Sequence, residues 1–236
     1  SESKAARIVI VLAIDTASRS CSVAVLDGNT VMAEINDVSG QTHSRHLMGM
    51  VDQALSMSVG QMANIDGFAV TQGPGSFTGL RIGISTAKGL AEAAGKPLVG
   101  VSSLQALAWQ VFPSDVTVIP MLDARRKEVY SARYIRDGET FKMVGAEQAL
   151  SPEAAVDGLD MPCLLVGDGA VAYADRLGMV LGGHMQLALP FQHLIRASTV
   201  AFLARERLTE TRDDRMTLAP RYLRQSYAEE SRRRTR

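Results

Sequence analysis

The stretch from residue 73 to residue 83 carries the residue types best suited to binding an anion. It reads Gly-Pro-Gly-Ser-Phe-Thr-Gly-Leu-Arg-Ile-Gly and closely follows the apolar run 67–70. Glycines let the backbone approach an anion closely, and the free amides at the start of a helix favour negative charge. The pattern is therefore compatible with a phosphate- or nucleotide-binding loop built on Gly73, Gly75 and Ser76.

Neither common nucleotide-binding fingerprint fits this stretch. A P-loop needs a Lys and a Ser or Thr directly after its second glycine, and neither follows Gly79. The dinucleotide pattern fails because Thr78 stands where its third glycine belongs. A Gly-x-Ser-x-Gly nucleophile elbow is absent too. A structural glycine turn, with Ser76 as the cap of the next helix, remains the alternative interpretation.

An acidic residue marks the first turn of the chain. Residues 7–14, 20–26 and 30–35 read as three strands of a meander, with Asp15 and Thr16 after the first of them. An Asp at this position can hold magnesium or orient water near a phosphate. It can equally bond the backbone of its own turn, so both readings stay open.

Two further segments could line a ligand site, and each has a plainer reading. The charged run 123–128 follows a predicted buried strand, which would place it at a sheet edge or in a solvated loop. Gly167-Asp168-Gly169 is a candidate second phosphate loop or a simple turn. The four histidines, at positions 43, 46, 184 and 193, lack a His-Glu-x-x-His arrangement, and we expect no metal site in this chain.

Composition limits the possible function classes. The 236 residues hold 25 Lys plus Arg and 25 Asp plus Glu, so no global field attracts nucleic acid. That balance argues against this chain alone being the main nucleic-acid surface. Cys21 and Cys163 look like buried thiols of a reducing compartment. No apolar run has the length of a membrane span and residues 1–7 are too polar for a secretory signal, so we expect a soluble cytoplasmic protein.

Hydrophobic periodicity predicts an α/β chain, whose 236 residues could form one large domain or two modest ones. Divided in two, residues 1–105 form a first lobe with the order β-β-β-α-β-α-β, and residues 106–236 form a smaller second lobe whose last helix could pack back on the first. Predicted helices cover residues 44–58, 78–94, 103–111, 170–177 and 199–208. Predicted strands of the second lobe cover residues 116–122, 128–136, 141–144 and 163–166, and residues 181–190 are expected to form a loop. Ser151 and Pro152 have the types of a helix cap and first helical residue.

The first two helices carry more apolar and small residues than one core face requires. In the first, methionines flank the expected core stripe; in the second, small residues recur every four positions. Methionine suits adaptable contacts, and helical glycines suit close backbone approach. We therefore predict a partner interface, although a neighbouring element of the same chain could cover these residues instead. The predicted interface residues are His46, Met50, Gln53, Met57, Gly79, Gly83 and Ala87.

Several of these motifs together resemble the bacterial TsaB (YeaZ) family. The resemblance rests on Asp15-Thr16-Ala17, Thr42-His43-Ser44, the run 73–83, Asp123-Ala124-Arg125 with Glu128-Val129-Tyr130, and Pro220-Arg221-Tyr222-Leu223-Arg224. It covers nearly the whole chain, and its Phe-Thr-Gly-Leu-Arg core is quite specific. It implies the actin-like ATPase (ASKHA) fold, with two ribonuclease-H-like lobes of which the second is reduced.

The resemblance also implies a function. Such a protein would be the non-catalytic partner of a TsaD-like subunit in making N6-threonylcarbamoyladenosine next to the tRNA anticodon. It would have no cofactor of its own, with ATP and metal on the catalytic partner. A TsaE-like ATPase would join the complex, tRNA would be reached through the complex, and a homodimer could use the same helices.

Two alternative functions and one further contact are also compatible with the sequence. A self-sufficient nucleotide-dependent ATPase or kinase would use Asp15 and the loop 73–79. An M22-type metallopeptidase is a further alternative, disfavoured by the histidines. The arginines at positions 232, 233, 234 and 236 could contact tRNA phosphates, or belong to a solvated chain end.

Overall fold

The computed structural model describes residues 9–39, 43–210 and 213–224, so the arginine-rich segment 225–236 lies outside the described residues. Its first sheet has the strand order β3-β2-β1-β4-β5. β1 pairs antiparallel with β2, and β2 with β3, while β4 and β5 run parallel to β1. Gly28, at a φ of 58°, makes the tight turn between β2 and β3. The strands are β1 Ile10–Asp15, β2 Cys21–Asp27, β3 Thr30–Asp37, β4 Gly67–Gly73 and β5 Leu98–Ser102.

The second sheet repeats this plan. Its order is β10-β9-β6-β7-β8, in which β6, β7 and β8 form an antiparallel meander and β9 and β10 lie parallel to β6. The strands are β6 Thr117–Arg125, β7 Glu128–Asp137, β8 Thr140–Leu150, β9 Cys163–Val166 and β10 Met185–Leu187. Each sheet thus consists of a meander followed by two parallel strands, and the expected α/β fold with two ribonuclease-H-like lobes is confirmed.

Seven α-helices lie among the described residues. They are α1 His43–Met57, α2 Phe77–Ala94, α3 Ser103–Trp109, α4 Pro152–Ala155, α5 Asp168–Ala172, α6 Ala174–Leu181 and α7 Ala197–Thr209. Ser76 and Ser151 accept hydrogen bonds from backbone amides of the first turns of α2 and α4, as predicted. Gly95, at a φ of 62°, ends α2 in the left-handed conformation. Among the described residues, no helix is both long and apolar enough to cross a bilayer.

The helices that pack on the first sheet form an outer layer on one of its faces and an inner layer on the other. α1 and α2 pack on one face of the first sheet, where Leu12, Ile14 and Phe68 are buried. α3 and α7 pack on the opposite face, in a core that continues into Val118 and Tyr134 of the second sheet. α1 and α2 therefore form an outer layer, on the face of the first sheet away from the second sheet.

Two elements of the second lobe differ from the sequence prediction. β8 runs from Thr140 to Leu150 rather than over residues 141–144, because Gly145, at a φ of 80°, and a bulge in its pairing with β7 let it continue. As an edge strand it exposes most of its side chains, so its hydrophobic pattern is weak. The predicted loop 181–190 contains the short strand β10, which pairs with β9.

The described chain ends in an extended segment that lies on the first sheet. The Asp214 amide donates to the Leu98 carbonyl and the Arg221 amide to the Gln72 carbonyl, each at 2.7 Å. Between them, Leu218 is buried in the core beneath α1 and α2. We call residues 213–224 the C-terminal strap.

Candidate functional site

The turn after β1 and the start of α2 are packed directly on each other. The Thr16 hydroxyl donates to the Gly79 carbonyl at 2.7 Å, and the Ser76 amide donates to the Ala17 carbonyl at 2.7 Å. The structure therefore brings together Asp15, Thr16, Gly75 and Ser76, which sequence reasoning selected from distant parts of the chain.

The glycines of this region are required by the chain's own packing. A Cβ at Gly75 would overlap the Ala17 carbonyl oxygen, one at Gly79 the Thr16 carbonyl oxygen, and one at Gly83 the Thr16 hydroxyl. The Ser76 amide and the Gly79 amide, which bonds the Ser76 hydroxyl, are both engaged within the chain. This geometry favours the structural interpretation of the glycine turn, and nucleotide binding at Asp15, Thr16, Gly73, Gly75 and Ser76 stays a prediction.

Asp15 is a fully buried carboxyl group at the carboxyl end of β1. Its Oδ1 accepts from the Thr71 hydroxyl at 2.7 Å and from the Ala17 amide at 3.1 Å, whereas its buried Oδ2 has no partner among the described residues. Burial, with a smaller contribution from the charge of Asp168, raises the pKa of Asp15 to about 7. The group is therefore poised to carry a proton near neutral pH.

The second lobe places the carboxylate of Asp168 close enough to Asp15 for their charges to interact. Asp168, the first residue of α5, accepts from the Asp123 amide at 3.0 Å. Burial also raises the pKa of Asp168, although two backbone hydrogen bonds oppose the shift. The two segments that the sequence singled out separately, 123–128 and 167–169, thus meet. Among the described residues, no three His, Cys, Asp or Glu side chains are arranged as a metal-binding group.

His193 supports the glycine turn of the second lobe. Its Nδ1 accepts from the Gly167 amide at 3.1 Å, so Nε2, 3.0 Å from the Ala188 carbonyl, carries the proton of the neutral ring. Gly167 has a φ of 111° and lies against the Met121 carbonyl, where a Cβ would clash. The histidine therefore has a structural position that holds the turn at Gly167.

The C-terminal strap covers the glycine loop. A Cβ on Gly73 would lie 2.6 Å from the Arg221 carbonyl oxygen. Arg221 also pairs with the buried carboxylate of Glu147 at 3.1 Å, and Arg224 pairs with Glu128. The motif 220–224 is visible in the sequence, but this role is not, because these contacts join positions far apart in the chain.

The predicted interface residues divide into two groups. Gln53 and Met57 are exposed and His46 is half-buried. Met50 lies in the core, and Gly79, Gly83 and Ala87 are buried, the two glycines against Thr16. Burial within the chain does not favour a contact with a partner at these four residues, and the interface stays a prediction.

Other residues of α1 and α2 remain open on the outer face. Met48 is 46% exposed and Met57 is 63% exposed. A Cβ at Gly49 or Gly89 would meet nothing within 4 Å. The open glycines of the outer layer are therefore Gly49 and Gly89, rather than the recurrent pair Gly79 and Gly83.

Comparisons with known proteins agree with this architecture. A family model described as TsaD, tRNA N6-adenosine threonylcarbamoyltransferase, matches residues 35–232. The tRNA threonylcarbamoyladenosine biosynthesis protein TsaB of Haemophilus influenzae is 32% identical over 225 residues, which cover 90% of this chain and 92% of that protein.

Solved structures show the same fold. YeaZ from Pseudomonas aeruginosa matches with a TM-score of 0.76 and 28% identity, over 92% of this chain and all of that one. Component A of (R)-2-hydroxyglutaryl-CoA dehydratase from Acidaminococcus fermentans matches with a TM-score of 0.51 and 13% identity, over 85% of this chain and 99% of that one, which is a likeness of fold alone. The family model matches most of this chain, and the chain covers 92% of the Haemophilus influenzae TsaB at 32% identity. This chain therefore belongs to the TsaB (YeaZ) family.

Proposed function

We propose that this protein is a non-catalytic, activating subunit in the biosynthesis of threonylcarbamoyladenosine in tRNA, and that it binds a TsaD-like catalytic partner. The observation that carries the proposal is the outer face of α1 and α2, which presents exposed methionines beside helical glycines that have open space above them. Its TsaB relatives are named as proteins of the same biosynthesis.

The open glycines are costly unless something packs on them. Each glycine inside a helix costs on the order of 1 kcal/mol relative to alanine. At Gly49 and Gly89 the described chain offers no neighbour to account for that cost. A helix of another polypeptide could approach the bare backbone there, with Met48 and Met57 adapting to its surface.

The chemistry would then be supplied by the partner. In this proposal ATP and metal bind the TsaD-like subunit, a TsaE-like ATPase joins the complex, and tRNA is reached in the cytoplasm through the assembled complex. The engaged amides of Ser76 and Gly79 support this division of labour, because they are not available to a phosphate. A homodimer through the same helices would be the state without the partner.

The test uses an exposed methionine rather than a buried one, since Met50→Asp would place a carboxylate in the core. Met57→Asp should abolish co-elution with a purified TsaD-like protein and the threonylcarbamoyl transfer that depends on it, while far-UV dichroism and Tm stay unchanged. Met179→Asp is the matched control, because Met179 is 81% exposed on α6 of the other lobe.

Two results would contradict the proposal. One is a folded Met57→Asp protein that still co-elutes and supports transfer like the wild type. The other is tight ATP binding with turnover by the isolated chain, measured by calorimetry and phosphate release, which would favour the self-sufficient ATPase instead.

A further inference from the structure

We propose that this chain itself contributes an RNA-binding face, made where the start of α2, the C-terminal strap and the β6–β7 hairpin meet. Six side chains form it: Phe77, Arg81, Arg126, Lys127, Tyr222 and Arg224. The choice of RNA as occupant rests on the proposed function in tRNA modification. The face itself rests on the contacts described below.

An aromatic and guanidinium stack forms the first part of this face. The rings of Phe77 and Tyr222 are stacked with centroids 4.9 Å apart, and the Arg81 guanidinium lies 3.9 Å over the Phe77 ring. Arg81 Nε also donates to the Tyr222 hydroxyl at 3.1 Å. Phe77 and Tyr222 nevertheless remain 37% and 39% exposed. Exposed rings held rigidly beside guanidinium planes are the groups on which unpaired bases stack.

The hairpin tip forms the second part, and its backbone conformation is unfavourable for its residues. Arg125, Arg126 and Lys127 have φ angles of 63°, 55° and 64°, and all three are exposed. A two-residue hairpin turn of this kind normally carries Asn-Gly or Asp-Gly, because other residues are strained at positive φ. Residues other than glycine at a strained turn point to a use for their side chains. Here all three are cations.

The strap joins the two parts into one surface. Arg224 Nη1 donates to the Ala124 carbonyl at 3.4 Å, and the same guanidinium pairs with Glu128, the residue that follows the tip. Tyr222 is two residues earlier in the strap. Four of the six side chains in the face are thus cations, and Glu128 pairs with one of them, Arg224.

RNA fits this combination better than an acidic protein does. Three of the four cations are arginines, whose planar forks bind phosphate oxygens in pairs. An acidic protein surface would use the charges and leave the exposed ring stack without a role. The expected contact is therefore backbone phosphate at the hairpin tip and arginines, with a base against the Tyr222 and Phe77 stack.

The main test replaces the strained cations with the residue that the turn prefers. Arg126→Gly/Lys127→Gly should raise the Tm, because glycine relieves the positive φ, and should weaken binding of a fluorescein-labelled tRNA transcript about tenfold at roughly 100 mM salt. The slope of log K against log salt should fall by about two. Anisotropy measures the binding, with the full chain in complex with its TsaD-like partner.

Matched variants separate local from global effects. Arg136→Gln/Lys142→Gln removes the same charge at the exposed far end of β7 and β8, about 26 Å along β7 at roughly 3.3 Å per residue, and should leave tRNA affinity within twofold. Tyr222→Ala should weaken binding about tenfold with the salt slope unchanged, and Tyr222→Phe should bind like the wild type.

Three results would overturn the proposal. They are unchanged tRNA binding by the hairpin variant, equal losses in the hairpin and far-end variants, or a labelled poly-glutamate peptide that binds the wild type as tightly as tRNA and loses binding in the same variants. Co-elution with the partner is scored separately. If the hairpin variant co-elutes normally and loses only RNA affinity, the RNA face is supported whatever the outcome for Met57→Asp.

Discussion

Asp15 has a raised pKa, and the described residues around it bond only one of its two carboxyl oxygens. Its Oδ1 is held by Thr71 and Ala17, while Oδ2 is buried without a partner among the described residues. A buried carboxyl group of this kind is more stable with its proton than without it. Its raised pKa therefore makes folding stability depend on pH.

The direction of that dependence follows from proton counting. Asp15 titrates at about 7 in the folded chain against 3.8 ordinarily, so between these values the folded state binds more protons than the unfolded one. Stability should therefore fall as pH rises through this window, by on the order of 4 kcal/mol from this group. Asp15→Asn should remove that component, measured by denaturant unfolding at several pH values. Parallel curves for the two proteins would mean that the carboxyl group titrates normally.

Two glycines of the same helix should respond oppositely to the same substitution. Gly79→Ala should destabilise the fold by more than about 2 kcal/mol, because its Cβ would overlap the Thr16 carbonyl oxygen. Gly89→Ala should stabilise the isolated chain by about 0.5 to 1 kcal/mol, because its Cβ enters open space. Thermal and denaturant unfolding measure both. A stabilised Gly79→Ala would mean that the turn at Thr16 can move away.

At this scale the sequence indicated which residues are unusual without indicating what they touch. The recurrence of Gly79 and Gly83 in α2 was visible, and so was the cap at Ser76, which depends only on local bonding. That Thr16 fills the space beside the glycines was not visible, since the contact joins positions 63 residues apart in the Thr16 to Gly79 hydrogen bond.

Among the described segments, the C-terminal strap combines an irregular structure with contacts to both sheets. It has no helix or strand of its own, yet it bonds the backbones of β4 and β5, buries Leu218 and reaches Glu147 of β8. It therefore links the two sheets at the loop that begins α2.

Leu218 should account for much of the strap's attachment. Leu218→Ala should cost about 2 to 4 kcal/mol, because it leaves a cavity above Gly100 in the core. Met216→Ala, two residues earlier and 92% exposed, should change stability by less than about 0.5 kcal/mol. Urea unfolding followed by dichroism compares them. Equal, small effects would mean that the strap contributes little to the fold.

Elements whose apolar residues recur at a regular spacing were predictable from the sequence, and elements defined by long-range contacts were not. The meander β1–β3 and the helices α1 and α2 follow the expected patterns closely, because one face of each is continuously apolar. β8 is an edge strand with exposed side chains, and β10 has three residues, so neither has a clear pattern. The strap has no period for sequence reasoning to detect.

At the scale of the whole molecule, the two sheets share one plan but differ in what covers them. The first sheet has helices on both faces, including the 15-residue α1 and the 18-residue α2. The helices between β8 and β10 have 4, 5 and 8 residues. The long outer helices, which belong to the first sheet alone, are thus the larger surface available to a partner.

A single outer surface implies competition between its possible occupants. If a second copy and the TsaD-like partner both bind the face around Met57 and Gly89, one copy of this chain can bind only one of them at a time. Adding partner should then convert any homodimer into heterodimer by mass action, with an apparent affinity that weakens as this chain's concentration rises.

Analytical ultracentrifugation with a labelled partner can follow that exchange. Gly89→Leu should abolish both self-association and partner binding, because a leucine would fill the space into which either helix must fit, while the exposed position leaves the fold intact. Met179→Leu on the other lobe is the control. A ternary species with two copies of this chain joined through α1 and α2 and a partner on the same helices would show that the two surfaces are separate.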